Sequence, residues 1–527
     1  METGKSTNSA PCKKRVLEPN PAPESLATKF GCSELPQHPD RNTRIDRSRS
    51  SRFWTCKLGL APQGRAAGAR ETETGKSTNS AASAGGGRKK RVCYYHDPRV
   101  SFADYGKDHS MVPHRVTMAH ALIKAYGLLD DMDLLRVSPA TEQDLLYAHT
   151  KEYLAFLRDL TPADYAGDAG VRERAREHKV GPSAGSSCST TDDNPVIDDL
   201  WGYCLRYAGG SLAAARALAG GGYDVAVNWS GGMHHACRGK ASGFCYVNDI
   251  VVAVGALLDY GRFRRVLYVD IDAHHGDGVE AAFLTDPRVM TVSFHQYDGR
   301  DFFPYTGAVG DVGEGAGEFR TLNVPLEAGT GDARNRGLFE PIVARVMEVF
   351  RPDAVVLQCG ADSLAGDRIA GLSLSVRGHA ECVRFLRSYD LPLLLLGSGG
   401  YTINHVAACW CYEHYYQSQG YKLHHSTARN GNGNTETKHM VKVKWRVMKH
   451  LEQLSALLAA PAAQPDEEPP RKVDIEVDAL LDDSPRPEDP IEVLHRRCGE
   501  QDLSEFLTYL GKKQLLKRRK VDRYQKW

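Results

Sequence analysis

The sequence predicts an α/β fold: one large domain over residues 91–415, with a mostly parallel central sheet flanked by helices. Short, nearly continuous apolar runs recur there, followed by polar or glycine-rich turns and stretches with helical period. Such runs are typical of parallel strands covered by helices on both faces. Their alternation with helices indicates a single large domain.

Five of these runs are predicted as strands: 224–229, 266–271, 289–294, 354–358 and 393–396. Three stretches with helical period are predicted as helices: 248–258, 338–350 and 376–389. Ligands of open parallel sheets bind beyond the carboxyl ends of the strands, so the residues that follow the strands are the first candidates for a functional site.

The flanking segments, residues 1–90 and 416–527, are predicted as disordered extensions, and short helices are left open in the second. The first is rich in Ser, Thr, Asn and Gly and contains 17 Lys and Arg against 8 Asp and Glu. Such polar compositions bury too little apolar surface to form a core. The basic runs 88–91 and 512–520 are candidate nuclear import signals or plain solvated charge runs.

The whole chain has a formal net charge of +1 at pH 7. A balanced charge gives no general attraction to nucleic acid or to membrane surfaces, and we expect no sequence-specific DNA binding. The longest apolar run, 250–258, is far shorter than the ~20 residues that span a bilayer, so no membrane segment is expected.

Acidic and imidazole side chains gather where two predicted strands end. Asp270, Asp272 and His274 are spaced by two, which puts them on one face of an extended segment. Neighbouring carboxylates repel, and a divalent cation removes that repulsion. Asp362 follows another predicted strand. Together with Asp272 and His274 it gives three metal-binding side chains and leaves one coordination position open, as in catalytic metal sites. A hydrogen-bonded strand end is the alternative, and zinc, iron and cobalt all suit the donors.

The adjacent His234 and His235 cannot point the same way on an extended chain, so each needs its own partner. Asp270 and Asp277 are the available carboxylates, and an imidazole oriented by a carboxylate is the usual form of a general base. Tyr401 follows a glycine turn and can donate its hydroxyl to a developing oxyanion. Metal, paired imidazoles and a phenol together indicate metal-assisted hydrolysis of an amide.

Five segments in this order resemble the class I zinc-dependent histone deacetylases: Gly231–His235, Ala241–Asp249, Asp270–Gly278, Gln358–Ser363 and Gly399–Thr402. The resemblance covers about residues 90–415. It implies the arginase/deacetylase fold, a Zn²⁺ cofactor, and removal of acetyl groups from lysines of histone tails, which represses transcription. It also implies corepressor complex subunits as partners and location in the nucleus, with the cytoplasm left open.

The resemblance implies roles for individual residues. The zinc ligands are Asp272, His274 and Asp362. The general base and acid is His235, which is oriented by Asp277, and its partner His234 is oriented by Asp270. The carbonyl-polarising phenol is Tyr401. The substrate-binding residues are Gly243, Phe244 and Phe303 in the tunnel wall, the rim carboxylate Asp193, Ile369 in place of a rim leucine, and Gly400. Arg115 resembles a residue of the acetate exit channel. Ser293 and Phe294, with the backbone carbonyls of Asp270, Asp272 and His274, resemble a structural K⁺ site.

The chain departs from the family pattern in two places. Val112 and Asn404 replace basic residues that bind inositol phosphate and leave only Arg368, so dependence on that polyanion is not expected. The aromatic Tyr-Phe-Gly-Pro-Asp-Tyr segment expected after Glu413 is absent, which makes the C-terminal region divergent. Two alternatives to an active histone deacetylase stay open: a catalytically weakened corepressor scaffold, and a deacetylase of small acetylated amines.

Overall fold

The computed structural model describes residues 90–181, 193–299, 301–415 and 436–459. All of them belong to one compact unit, Gly85–Trp527. The predictions for residues 1–89, 416–435 and 460–527, which include the run 512–520, lie outside the described residues. The same holds for the start of the run 88–91.

Within the described ranges, eight strands form a single sheet. They are β1 (Val92–Tyr95), β2 (Asp133–Leu135), β3 (Val225–Asn228), β4 (Val266–Asp270), β5 (Val289–Gln296), β6 (Thr321–Leu326), β7 (Ala354–Gln358) and β8 (Leu393–Leu396). Their order across the sheet is β2-β1-β3-β8-β7-β4-β5-β6, and every neighbouring pair is parallel. The predicted α/β class with a parallel sheet is confirmed, and all five predicted strands are present.

Helices cover both faces of the sheet. They are α1 (Arg115–Ala125), α2 (Glu142–Leu145), α3 (Lys151–Asp159), α4 (Pro162–Gly167), α5 (Ala169–Glu177), α6 (Leu200–Ala219), α7 (Asp249–Asp259), α8 (Asp277–Phe283), α9 (Asp332–Phe350), α10 (Val376–Arg387), α11 (Ile403–Tyr415) and α12 (Lys438–Ala459). The three predicted helices correspond to α7, α9 and α10. In the described part of the chain, no helix is long and apolar enough to cross a membrane.

Helix α12 lies beyond residue 415, where the sequence predicts little order. It packs against α9 and β6. Its buried residues recur every three or four positions, which puts them on one face of the helix: Met440, Val443, Val447, Leu451 and Leu454. The resulting contact adds a helix to the outer edge of the sheet.

The strand order decides where the polar strand ends meet. β3, β8, β7 and β4 are consecutive neighbours in the sheet. Because these strands are parallel, their carboxyl ends lie together along one edge of the sheet, the edge at which all strands end. The four segments that follow them therefore start side by side. These segments contain the histidine pair, the glycine turn before Tyr401, Asp362, and the Asp272–His274 pair.

Candidate active site

Asp272, His274 and Asp362 converge at this edge of the sheet. All three are buried, and their ligand atoms lie within 4.8 Å of one another. His274 Nδ1 is 3.1 Å from Asp272 Oδ1 and 3.0 Å from Asp362 Oδ2. Asp272 and His274 follow β4, whereas Asp362 lies in a short turn after the adjacent β7. The structure therefore brings together the three side chains for which the sequence predicts a shared cation.

The electrostatics of this cluster favour a positive charge among the carboxylates. Burial, and then the neighbouring Asp272, raise the pKa of Asp362 to about 7. Burial disfavours a charged His274, but Asp362 and Asp272 outweigh it and raise the imidazole pKa to about 10. Two buried carboxylates and one imidazole nitrogen that face one another are a donor set that fits a divalent ion.

Neighbouring groups fix both carboxylates. Asp272 Oδ2 accepts hydrogen bonds from Gln358 Nε2 at 2.8 Å and from the Gly399 N–H at 3.1 Å. Asp362 Oδ1 accepts one from the Ala273 N–H at 2.7 Å. A Cβ on Gly360 would lie 1.9 Å from Asp272 Oδ2, so a side chain there would displace the carboxylate. Sequence reasoning assigned no role to Gln358, although a buried glutamine at the end of an apolar strand is a usable signal.

Each histidine of the pair has its own carboxylate, as the sequence predicts. His234 Nδ1 lies 2.8 Å from Asp270 Oδ2, and His235 Nδ1 lies 2.7 Å from Asp277 Oδ1. Burial and the charge on His234 lower the pKa of His235 to about 4. Burial also opposes the charge on His234, but Asp270 and Asp272 raise its pKa to about 9. His235 is therefore neutral at pH 7, with Nε2 available as a base.

Tyr401 keeps its proton at this site. Burial, and then Asp362 and Asp272, raise the pKa of its phenol well above 10. Its own N–H donates to Asp367 Oδ2 at 2.7 Å. The preceding Gly400 has φ +123°, and a Cβ there would lie 2.5 Å from Val406 Cγ2, so this position requires glycine.

Arg115 is buried under the same turn. Its guanidinium donates to the carbonyl oxygens of Gly400 at 2.5 Å and Ser398 at 2.6 Å. Arg115 and Ser398 also line an internal cavity together with Met111 and Met233. The arginine thus holds the backbone before Tyr401 and faces a cavity behind the site.

Aromatic rings form the walls in front of the cluster. Phe244 contacts Tyr401 with ring centroids 5.6 Å apart, and Phe303 contacts His235 at 5.0 Å. A Cβ on Gly243 would lie 2.4 Å from His235 Cδ2 and 2.9 Å from Phe303 Cε1. Phe302 stacks on His274 at 5.0 Å and 11°. Sequence reasoning missed Phe302 because only its neighbour Phe303 has the expected Phe-Pro context.

The predicted rim and potassium residues are less completely defined by contacts. Ile369 is 38% exposed, and its N–H donates to Asp367, which also binds the Tyr401 backbone. Asp193 is exposed and directly follows residues 182–192, which lie outside the described residues. Ser293 and Phe294 are buried in β5, where Ser293 pairs with Asp270. The rim role of Asp193 and the potassium site stay predictions.

A second buried polar group supports the segment that contains Asp362. His379 Nδ1 lies 2.5 Å from Glu413 Oε1, and its Nε2 lies 2.9 Å from the carbonyl oxygen of Gly360. Burial opposes the imidazolium, but Cys409 and Glu413 raise the pKa of His379 well above 6.5. The donor atoms of these three side chains lie within 4.8 Å of one another, yet both imidazole nitrogens already have hydrogen-bond partners. The sequence analysis assigned no role to His379.

Comparison with known proteins identifies the family. A histone deacetylase domain matches residues 109–416. The chain is 48% identical over 419 residues to histone deacetylase 1 of Oryza sativa subsp. japonica, covering 76% of this chain and 77% of that protein. It is 46% identical to histone deacetylase 19 of Arabidopsis thaliana over 430 residues, covering 78% and 82%. With histone deacetylase 1 of Bos taurus the identity is 43% over 386 residues, covering 70% and 76%. The domain match and these identities agree with the residues that converge at the strand ends. The chain therefore belongs to the histone deacetylase family.

Proposed function

We propose that this chain is a metal-dependent lysine deacetylase that removes acetyl groups from histone tails and thereby represses transcription. The observation that carries this proposal is the convergence of Asp272, His274 and Asp362 beside the His235–Asp277 pair and Tyr401. Membership of the histone deacetylase family agrees with that chemistry.

Zinc is the proposed resident ion, because members of this family are metal-dependent and generally use zinc. Asp272, His274 and Asp362 would hold it. When bound, the ion supplies a positive charge that polarises the acetyl carbonyl. Two carboxylates and one imidazole also suit iron or cobalt. Ser293 and Phe294 would contribute to the proposed structural K⁺ site.

His235 is the proposed general base and acid. The Nδ1–H of His235 donates a hydrogen bond to Asp277, which leaves Nε2 to take a proton from the attacking water and later return it to the leaving lysine amine. His234, hydrogen-bonded to Asp270, is its charged neighbour. Tyr401, protonated because of its raised pKa, donates its hydroxyl to the oxyanion of the tetrahedral intermediate.

The proposed substrate path runs between the aromatic walls. Phe244 and Phe303 can sandwich the neutral methylenes of acetyl-lysine, because two aromatic faces bury an aliphatic chain well. Gly243 and Gly400 keep the backbone close to the reacting groups, and Ile369 and Asp193 would form the rim. The cavity beside Arg115 would receive the released acetate.

Corepressor subunits are the proposed partners. The proposed location is the nucleus, because histone tails are found there, and the cytoplasm is a second candidate. Inositol phosphate is not expected to be required, since Val112 and Asn404 cannot bind a polyanion as basic side chains do. No contact with DNA bases is proposed.

The decisive experiment combines elemental analysis of the purified protein with acetate release from an acetylated histone peptide, with and without a chelator. We expect one bound metal ion per chain and release that the chelator abolishes. Folded, metal-loaded protein that releases no acetate from any substrate would instead indicate a scaffold. Turnover of free acetylated amines without turnover of peptides would indicate a small-molecule deacetylase.

A further inference from the structure

Tyr305 has an unusual conformation just outside the aromatic wall. It is 63% exposed and has φ +70°, a left-handed conformation that bulky residues rarely adopt. Its N–H donates to the Phe302 carbonyl oxygen at 3.0 Å. The next residue, Thr306, has its Oγ1 2.8 Å from His275 Nδ1. Contacts on both sides therefore hold the backbone of Tyr305, while its side chain faces solvent.

The ring of Tyr305 continues the tunnel wall outward. Its centroid lies 6.0 Å from that of Phe303, with the two rings nearly perpendicular at 78°. Phe303 in turn contacts His235 at 5.0 Å. The rings thus lead from the proposed general base to the surface. A peptide whose acetyl-lysine passes Phe303 brings the residues next to that lysine close to Tyr305.

The two loops beside the aromatic walls are each acidic on balance. Asp298 and Asp301 precede Phe302 and are exposed, the Asp298 carboxylate accepts the N–H groups of Asp301 and Phe302, and the sequence of this loop contains one basic residue, Arg300. On the other side, His109 contacts Phe244 with ring centroids 4.7 Å apart. Its loop contains exposed Asp104 and Asp108 against Lys107. Both loops therefore favour a cationic group at the mouth of the tunnel.

We propose that Tyr305 forms a subsite for a basic residue, arginine in particular, next to the acetyl-lysine in the substrate peptide. This subsite rests on the proposed deacetylase function and narrows its substrate class. An exposed phenol ring attracts a cation through its π face, and the planar guanidinium of arginine also stacks on it. The nearby carboxylates add to the attraction without requiring one fixed ion pair.

The test measures kcat and KM for acetyl-lysine peptides that differ only at the residues adjacent to the acetyl-lysine: Arg, Ala, Leu or Glu. The enzymes compared are the wild type, Tyr305→Gly, Tyr305→Leu and Tyr305→Phe. Tyr260→Gly is the matched control, because Tyr260 is an exposed tyrosine (39%) at the end of α7, remote from the strand ends of the site.

We expect the wild type to favour Arg over Ala by about two- to fivefold in kcat/KM, through KM, the size of an exposed cation–π contact. Tyr305→Gly and Tyr305→Leu should lose this preference, whereas Tyr305→Phe and Tyr260→Gly should keep it. Two results would overturn the subsite alone, provided that the enzymes turn over all peptides. One is an Arg preference that survives in Tyr305→Gly, and the other is a wild type that prefers Leu to Arg. Failure of the metal-loaded wild type on every peptide overturns the proposed function, and the subsite with it.

Discussion

His379 and Glu413 form a buried pair that links α10 to α11 behind the metal-binding cluster. The two side chains are fully buried and 2.5 Å apart. The other imidazole nitrogen reaches the carbonyl oxygen of Gly360, two residues before Asp362. A helix near the end of the domain is thus connected, through one histidine, to the turn that positions a predicted metal ligand.

Glu413→Gln should destabilise the protein by about 3–5 kcal/mol, because both ring nitrogens of His379 face acceptors and the change removes the buried carboxylate that pairs with one of them. The variant should also bind metal more weakly, since the Gly360–Asp362 turn loses its support. Denaturant unfolding and metal content measure the two effects. Glu348→Gln on α9 is the control, because the Glu348 side chain is 68% exposed and its pair with Arg345 is worth at most about 1 kcal/mol. Equal losses of stability in both variants would contradict the role of the buried pair.

Asp362→Ala should lower bound metal from one ion per chain to well below that value. The change removes one of three donors and leaves a two-residue set. Elemental analysis after dialysis measures the metal, and Asp259→Ala, at the end of α7, is a remote control. A full complement of metal in folded Asp362→Ala would exclude Asp362 as a ligand.

Tyr401→Phe should keep its metal and lose about 10²- to 10³-fold in kcat, the usual cost of removing one oxyanion donor. The ring, with its contact to Phe244, stays in place, so substrate binding should change little. Metal analysis together with steady-state kinetics separates the two effects. Wild-type kcat in this variant would remove the phenol from the mechanism.

The fold was predictable where the strands are covered on both faces. The five predicted strands, β3, β8, β7, β4 and β5, are consecutive in the sheet, whereas the three missed strands are the edge strands β2 and β6 and the strand β1 next to β2. The edge strand β6 contains Asn323 and Pro325, which interrupt its apolar run. β2 has only three residues and is largely exposed. The edge strands β2 and β6 have a weaker apolar pattern because each lacks a neighbour on one side, whereas β1 is fully buried but only four residues long.

The candidate site was predictable where its residues directly follow strands. Asp272, Asp362 and Tyr401 follow neighbouring central strands, so a parallel sheet brings them to one edge. Contacts between residues on separate helices and loops give no such signal. His379 reaches Gly360 only through the packing of α10 and α11, and nothing in a single sequence indicates that pairing.

His234→Asn should shift the acid limb of the pH–kcat/KM profile to higher pH. Burial and then the charge of His234 hold the pKa of His235 at about 4, so loss of that charge raises it toward 6.5. His235 is active as a base only when neutral. If its pKa is higher, the fall in kcat/KM on acidification therefore begins at a higher pH. Profiles normalised to their maxima show the shift independently of any fall in overall rate. An unchanged acid limb would show that His234 does not influence the protonation of the base.

Gly243→Ala should reduce kcat by about ten- to hundredfold, because small displacements of reacting groups have effects of this size. The new Cβ would lie 2.4 Å from His235 Cδ2 and 2.9 Å from Phe303 Cε1, at a position with φ +50°. Both the proposed base and the tunnel wall must therefore move. Gly239→Ala is the matched control a few residues earlier, where an added Cβ meets no atom within 4 Å. Since only the first variant crowds His235, equal activity in the two would show that the close approach of Gly243 to His235 has no part in catalysis.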